Sequence, residues 1–296
     1  MRRVLAVPGG RRQWKKERRE HKAMKSLTRG LIDLAEGHWV AAEKKALKYA
    51  EDGDGPLQGE ASLLNYLSAA RAAQAQGAYQ RRAHHLKLAH ENHPSADIAV
   101  GLTQAELQLN QNQLEEALAT LRHLHQLSPK HAKILQVLAK VYQQLGDWEH
   151  LLEIVPLLRK QKALTVEAIS DLSQQAYLKL LHAASSFSVL SNVWSRIPEK
   201  NRENEEVLSV YVTRLLQLGE SNLAEPLLRH ALRKQFSETL LVFYGKIDGA
   251  EPGRQLDLVE ALLLEHESNF IVLLTAGRVS LGNKLWGRAS SYLEAS

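Results

Sequence analysis

Three short chain breakers recur at nearly constant spacing. Gly77 precedes Ala78-Tyr79, Asn112 precedes Gln113-Leu114, and Gly146 precedes Asp147-Trp148, at intervals of 35 and 34 residues. Pro94 and Pro129 repeat the interval at 35, each closing an apolar-periodic run. A unit of this size cannot bury its apolar face alone and must stack on neighbouring copies, so the chain is restricted to a repeat architecture. With 17 Gly, 8 Pro and few β-branched runs in 296 residues, turn signals are too sparse for a sandwich or barrel.

A period of about 34 residues is that of the tetratricopeptide (TPR) repeat, a helix–turn–helix unit. The clearest unit spans Leu135–Leu158. Leu138, Ala139 and Tyr142 form the inner face of a first helix, and the small Ala139 lets a second helix approach. Gly146 suits the left-handed residue that ends a helix, and Asp147 suits the cap of the next. Leu151, Val155 and Leu158 then follow at helical spacing, and Trp148 covers the seam. The preceding unit carries Ala105, Ala117 and Pro129. The one before has Gly77, Tyr79, Leu86, Ala89 and Pro94, with Arg82 at a position that should be small, which predicts looser packing there. A half-match surrounds Gly37-His38-Trp39 with Ala42 and Ala46. Val207–Leu232 gives a further pair with turn Gly219-Glu220-Ser221, then Ala224, Leu228 and Ala231. The last pair starts near Ile271, with a turn at Gly282–Trp286 that reads as two residues longer, and Ala289 beyond it. The fold expected is all-α: a TPR-like α-solenoid, a right-handed superhelix of antiparallel helix pairs.

Charge divides the chain. Residues 1–30 hold eleven basic residues and two acids, a net +9, which leaves −4 for the other 266. The organisation expected is therefore a basic juxtamembrane-like arm over 1–25, a TPR-like block over 26–162, an atypical helical join over 163–204, and a second block over 205–296. The join should hold helices Val166–Leu181 and Ser188–Ile197 and a polar loop Pro198–Asn204. Asp52–Gly59 and Asp248–Gly253 read as further loops. The last block ends at Ser296 inside a helix without a polar cap, so it reads as cut short. No run of about 20 apolar residues is present to span a bilayer; Leu240–Tyr244 and Phe270–Leu274 reach five. No apolar stretch follows the basic start as a signal peptide requires.

Catalytic constellations are missing. There is no phosphate-binding glycine loop, nucleophile elbow or zinc-protease helix, and with no cysteine no thiolate chemistry or Cys-anchored haem. Glu115-Glu116 and Glu205-Glu206 fall on solvent faces. These absences point to a non-enzyme without cofactor or metal. Thirteen histidines include His84, His85, His90 and His93 on one second helix and its C-terminal end, and His123, His125 and His131 in the matching part of the next unit. His84, His85, His123 and His125 are candidate haem ligands, since imidazole is the usual one. The simpler reading is that a cation suits the last turn of a helix.

Two surfaces stand out as binding candidates. The arm residues Arg11, Arg12, Lys15, Lys16, Arg18 and Arg19, with Trp14 among them, suit an anionic membrane surface; no base-reading module follows, so nucleic acid is disfavoured. The first helices line the concave face of such an array. Here they carry Arg71, Gln74, Glu106, Asn110, Lys133, Gln136, Lys140, Gln143 and Gln144, a polar groove suited to an extended peptide or a partner helix.

The order of these blocks resembles the HemY family of proteobacteria. The segments that carry the resemblance are the basic arm, LAEGHWVAAEKKALKYA with its Gly37 turn, Asn65-Tyr66-Leu67 within NYLSAARAAQAQGAYQRRAHHLKLA, and LGDWEHLLEIVPLLRKQK with Leu152–Pro156. That resemblance covers nearly the whole chain. It implies a membrane-anchored TPR protein of late protohaem (porphyrin) biosynthesis, at the inner membrane with the array in the cytoplasm. It implies a non-catalytic scaffold whose partners are haem-pathway enzymes, and it carries over no catalytic residue. Two alternatives stand beside it: a haem or porphyrin carrier using the histidine clusters, and a general envelope-assembly TPR adaptor. Family members have two transmembrane helices before the basic segment. Here they are missing, so the chain reads as truncated at both ends.

Overall fold

The computed structural model describes residues 9–50, 60–247 and 252–296, and only the backbone of Gly9–Arg12, Lys16, Glu60 and Pro252. The described residues form seventeen α-helices, a one-turn 3-10 helix at Pro94–Ala96 and no strand. The architecture is an all-α helical-repeat solenoid. It divides into two compact units: Met1–Gly146 with Lys160–Ala163, and Asp147–Arg159 with Leu164–Ser296. The loop expected at Asp52–Gly59 lies outside the described residues, as do Asp248–Glu251 of the second.

The first unit contains α1 (Gly9–Ala35), α2 (Trp39–Leu47), α3 (Glu60–Ala75), α4 (Tyr79–Asn92), α5 (Asp97–Asn110), α6 (Leu114–Leu127) and α7 (Ala132–Leu145). The pairs α1/α2, α3/α4 and α5/α6 pack face to face, and the first helices α1, α3, α5 and α7 each lie against the next. The basic arm is therefore not a separate segment. It is the front of α1, which runs on unbroken to bury Ala23, Leu27 and Gly30.

The turn between paired helices is one structure repeated. The middle residue takes a positive φ at Gly37, Gly77, Asn112, Gly219 and Lys284, between 58 and 83°. The residue after it donates its N–H five residues back in every case: His38 to Asp33, Ala78 to Ala73, Gln113 to Gln108, Glu220 to Leu215 and Leu285 to Ser280, at 2.8–2.9 Å. This is a Schellman closure, which satisfies helix-end carbonyls and costs least with glycine or asparagine in the left-handed position. The C-terminal turn departs from expectation. It is no longer than the others, because Gly282 ends its helix and Lys284 carries the positive φ.

Arg82 does not loosen the second pair. Close approach there comes from Ala69, Ala70, Ala72 and Ala73 on α3, all at 0% exposure. Arg82 sits at the rim and donates to the Gln74 and Gln111 amide oxygens, bridging α3 to the α5–α6 turn. In the third pair, a Cβ on Gly101 would stand 2.7 Å from Leu124 Cδ2, so glycine sets how near α6 lies.

One buried carboxylate ties the first two pairs together. Glu43 on α2 accepts from Gln76 Nε2 at 2.7 Å, Arg81 Nε at 2.9 Å and Nη2 at 3.3 Å, and sits 3.0 Å from His85 Nε2. Burial alone would raise its pKa, but the bonds from His85, Arg81 and Gln76 outweigh that and hold it below its ordinary value.

The second unit contains α8 (Trp148–Lys160), α9 (Val166–Ala183), α10 (Phe187–Arg196), α11 (Glu199–Arg202), α12 (Glu205–Gln217), α13 (Ser221–Lys234), α14 (Glu238–Tyr244), α15 (Pro252–Glu265), α16 (Phe270–Gly282) and α17 (Trp286–Ala295). Here α9, α12, α14 and α16 stack in turn as first helices, with α10, α13 and α17 packed beside them and α15 against α13 and α16. Its core runs through Leu181, Leu190, Val212, Leu215, Leu228, Leu241 and Val259. The stretch expected as an atypical join thus contains an ordinary stacked pair, α9/α10. Its expected polar loop folds as the single turn α11. Arg202 donates to the carbonyls of Ile197 and Ser195, both at 2.8 Å, and caps the loop over Trp194, whose ring stacks on Tyr211 at 3.8 Å.

Candidate functional site

The first-helix face of the first unit brings several candidate groove residues into contact. Arg71 on α3 reaches across to α5, with Nη2 3.5 Å from Thr103 Oγ1 and 3.7 Å from Glu106 Oε2. Lys133 on α7 approaches the other oxygen of the same carboxylate at 3.3 Å. Gln74 Nε2 donates to the Leu107 carbonyl at 3.5 Å. Glu106 therefore stands between two cations from the neighbouring first helices.

Repeat geometry explains the row. Arg71, Glu106 and Lys140 lie 35 and 34 residues apart, which is one repeat each, so they fall on equivalent faces of α3, α5 and α7. Below them, Ala105, Ala139, Val137 and Tyr142 are buried and fix the helices at close distance. Lys140, Gln143, Gln144 and Asn110 are exposed and Gln136 is half-buried. The face thus sets three cations against one carboxylate in a field of amides. Ion pairs this exposed contribute only about 0.2–1 kcal/mol each. Stability does not account for the row.

The histidine candidates fare differently. His85 is buried and its Nε2 is held by Glu43, so that nitrogen is not available to a metal. His84 is exposed beside it, the rings 5.9 Å apart. His123 lines an open pocket of about 400 Å³ among α4, α5 and α6, but the second histidine there is His90, not His84, His85 or His125. His90 is itself paired with Asp97 at 3.0 Å. Of the four proposed ligands, His123 alone lines that pocket. One grouping of ligand-type atoms among the described residues, Asp33, Glu36 and His38 within 4.8 Å at the α1–α2 turn, is an ion-pair cluster with Lys45, 2.5 Å from Asp33.

Of the arm residues, Lys15, Arg18 and Arg19 are exposed along α1; the side chains of Arg11, Arg12 and Lys16 lie outside the described residues. Trp14 is 56% exposed with the Arg18 guanidinium 5.2 Å from its ring centre. Residue spacing puts Lys15, Arg18, Lys22, Lys25 and Arg29 on one stripe, away from the Ala23–Leu27 face that packs inward. No helix among the described residues is long and apolar enough to cross a membrane.

Residues 1–77 match the model of the HemY protein N-terminus. Over 299 aligned positions the chain is 25% identical to Protein HemY of Escherichia coli K12, spanning all of this chain and 74% of the relative. Protein HemY of Shigella flexneri matches to the same extent. The chain is thus similar to HemY proteins along its whole length. The segments that carry the HemY resemblance have visible structural work. Tyr66 is buried and donates its hydroxyl to the Ala50 carbonyl at 2.8 Å, fastening α3 to the end of α2. Gly37 makes the first Schellman turn, and Ile154 and Val155 are buried on α8.

Sequence reasoning missed the Glu43 cluster and a second buried carboxylate. Glu225 on α13 accepts from the Tyr244 hydroxyl at 2.9 Å and pairs with Arg229 Nε at 3.1 Å. Burial, then the Glu225 bond and charge, push the Tyr244 pKa well above its ordinary value. No local signal announces either: the partners lie 42 and 19 residues apart.

Proposed function

We propose that this protein is a HemY-family member and a non-catalytic scaffold of haem biosynthesis at the inner membrane, and that its first-helix face docks a partner protein. The pathway assignment is supported by the family. The docking assignment is carried by one observation, the row in which Glu106 is shared between Arg71 and Lys133 while Lys140 stays exposed without an ion pair among the described residues. A face with two cations in excess favours an acidic segment, and the surrounding amides suit the backbone of an extended chain. The basic stripe of α1 would meet anionic lipid, each basic residue near the surface contributing about 1 kcal/mol, with Trp14 at the headgroup level.

The test is quantitative affinity capture from native membranes with wild-type protein and a Lys133→Glu/Lys140→Glu variant. Both side chains are exposed, so the variant should keep its helical spectrum. Haem-pathway enzymes that come down with wild type and are lost from the folded variant support the reading. Equal capture by both would sink the docking face, and capture of envelope-assembly proteins alone would sink the pathway.

A further inference from the structure

The second unit holds a pocket of opposite character. It measures about 290 Å³ and lies among α11, α12, α13 and α14, next to the end of α10. Its floor is apolar: Trp194, Leu208, Leu227, Ala231 and Leu240. Leu208 and Leu240 are buried, while Trp194, Leu227 and Ala231 are half-buried and available. Three carboxylates stand at the rim, Glu199, Glu203 and Glu205.

The pocket's own cations are already engaged. Lys234 is bound to Glu203 at 2.6 Å. Arg202 is turned inward, donating to the Ile197 and Ser195 carbonyls and lying 5.6 Å over the Trp194 ring. Glu199 and Glu205 have no cationic partner among the described residues, and both are exposed. Three carboxylates against Arg202 and Lys234 leave the rim one negative charge in excess, and an apolar floor beneath such a rim matches an incoming group that is aliphatic along its length and positive at its tip. Lysine and arginine side chains have that form. The space exceeds a single side chain and suits one basic residue with an apolar neighbour.

We propose that this pocket is a second docking site, which takes a basic segment of a partner protein through one lysine or arginine flanked by an apolar residue. It is independent of the first-helix face, whose excess charge is positive, so the two sites select partners of opposite sign. Specificity then comes from repulsion as much as attraction, since each site rejects the other's client.

The test is selection from a randomised dodecapeptide library on the full-length protein, repeated on a Glu199→Gln/Glu205→Gln variant. Both positions are exposed, and an unchanged circular-dichroism spectrum confirms that the variant is folded. Peptides enriched by wild type should carry lysine or arginine next to a large apolar residue. Their affinity should fall about tenfold on the variant, the worth of two rim charges, and should weaken as salt rises. An Ala231→Phe variant, which fills the floor and leaves the charges in place, should also lose them. Failure to enrich basic peptides, enrichment of acidic ones alone, or equal binding by wild type and the charge variant overturns the proposal. The Lys133→Glu/Lys140→Glu protein should bind these peptides as wild type does, which separates this test from that of the first-helix face.

Discussion

Replacing Glu43 by alanine should cost more than any surface change on the first unit, and the structure says how much. Four donor atoms converge on its carboxylate. Their fates after truncation differ. The Arg81 side chain is 54% exposed and can turn to water, so its loss is small. The His85 side chain is 5% exposed and its Nδ1 already has no partner among the described residues, so the ring would be left with neither nitrogen bonded. A buried donor without an acceptor costs about 1–3 kcal/mol, and losing the Gln76 bond adds about 1. The expected loss is about 2–4 kcal/mol, or a fall of roughly 5–15 °C in the melting of a unit this size. Arg81→Ala should cost under about 1 kcal/mol. A Glu43→Leu/His85→Phe pair should recover much of the loss, because it leaves no buried donor without an acceptor, while the half-buried Gln76 and the exposed Arg81 can turn to water. The pH dependence has a definite sign. The folded pKa of Glu43 lies below its ordinary 4.5, so its contribution is present above that value and fades as pH falls through the folded one. Glu43→Gln should flatten the acid limb of stability below the ordinary value of 4.5, read by urea denaturation at stepped pH. If Arg81→Ala proves costlier than Glu43→Ala, or if both limbs coincide, the clamp has been misread.

Lys284→Gly should stabilise the C-terminal pair by about 0.5–1 kcal/mol, since lysine there holds a left-handed φ that glycine adopts freely; a lower melting temperature would contradict this. Tyr244→Phe should cost about 1–2 kcal/mol by removing the donor to Glu225. The raised Tyr244 pKa adds a signature: wild type should lose stability above about pH 10, the ordinary tyrosine value, and the phenylalanine variant should not lose this part. Gly101→Val should destabilise by about 1–3 kcal/mol, because its Cβ meets Leu124; an unchanged denaturation midpoint would show that α6 can retreat. Arg71→Ala should change stability by less than about 1 kcal/mol, which leaves its loss readable in binding alone.

The repeat was legible because it rests on local chemistry. Gly37, Gly77, Asn112 and Gly219 sit where a helix must close in the left-handed region, and few residue types go there cheaply. Asp147 reads as a cap and is one, its carboxylate accepting from the His150 N–H at 3.4 Å. The same logic failed at the last turn, where Gly282 drew the assignment although Lys284 takes the strained position. Arg82 reads as a packing fault only if second helices must supply the small residues; here α3 supplies them. The first-helix face could be found in sequence because its members recur at the repeat interval. Which of them touch could not, since Glu106 selects Lys133, two turns from the equivalent Lys140. The histidines misled because composition cannot show that His85 is already spent on Glu43. The second pocket depends on the fold of residues 198–204, where a polar loop was expected and α11 turns Arg202 inward.

The central claim is that a partner lies across α3, α5 and α7. Its most direct test places a photo-crosslinking residue at Gln136, half-buried amid that face, and a second at Leu127, exposed at the end of α6. After irradiation in native membranes, adducts to haem-biosynthesis enzymes should form from position 136 and not from 127. Adducts from 127 with none from 136 would contradict the account and move the docking surface off the first helices.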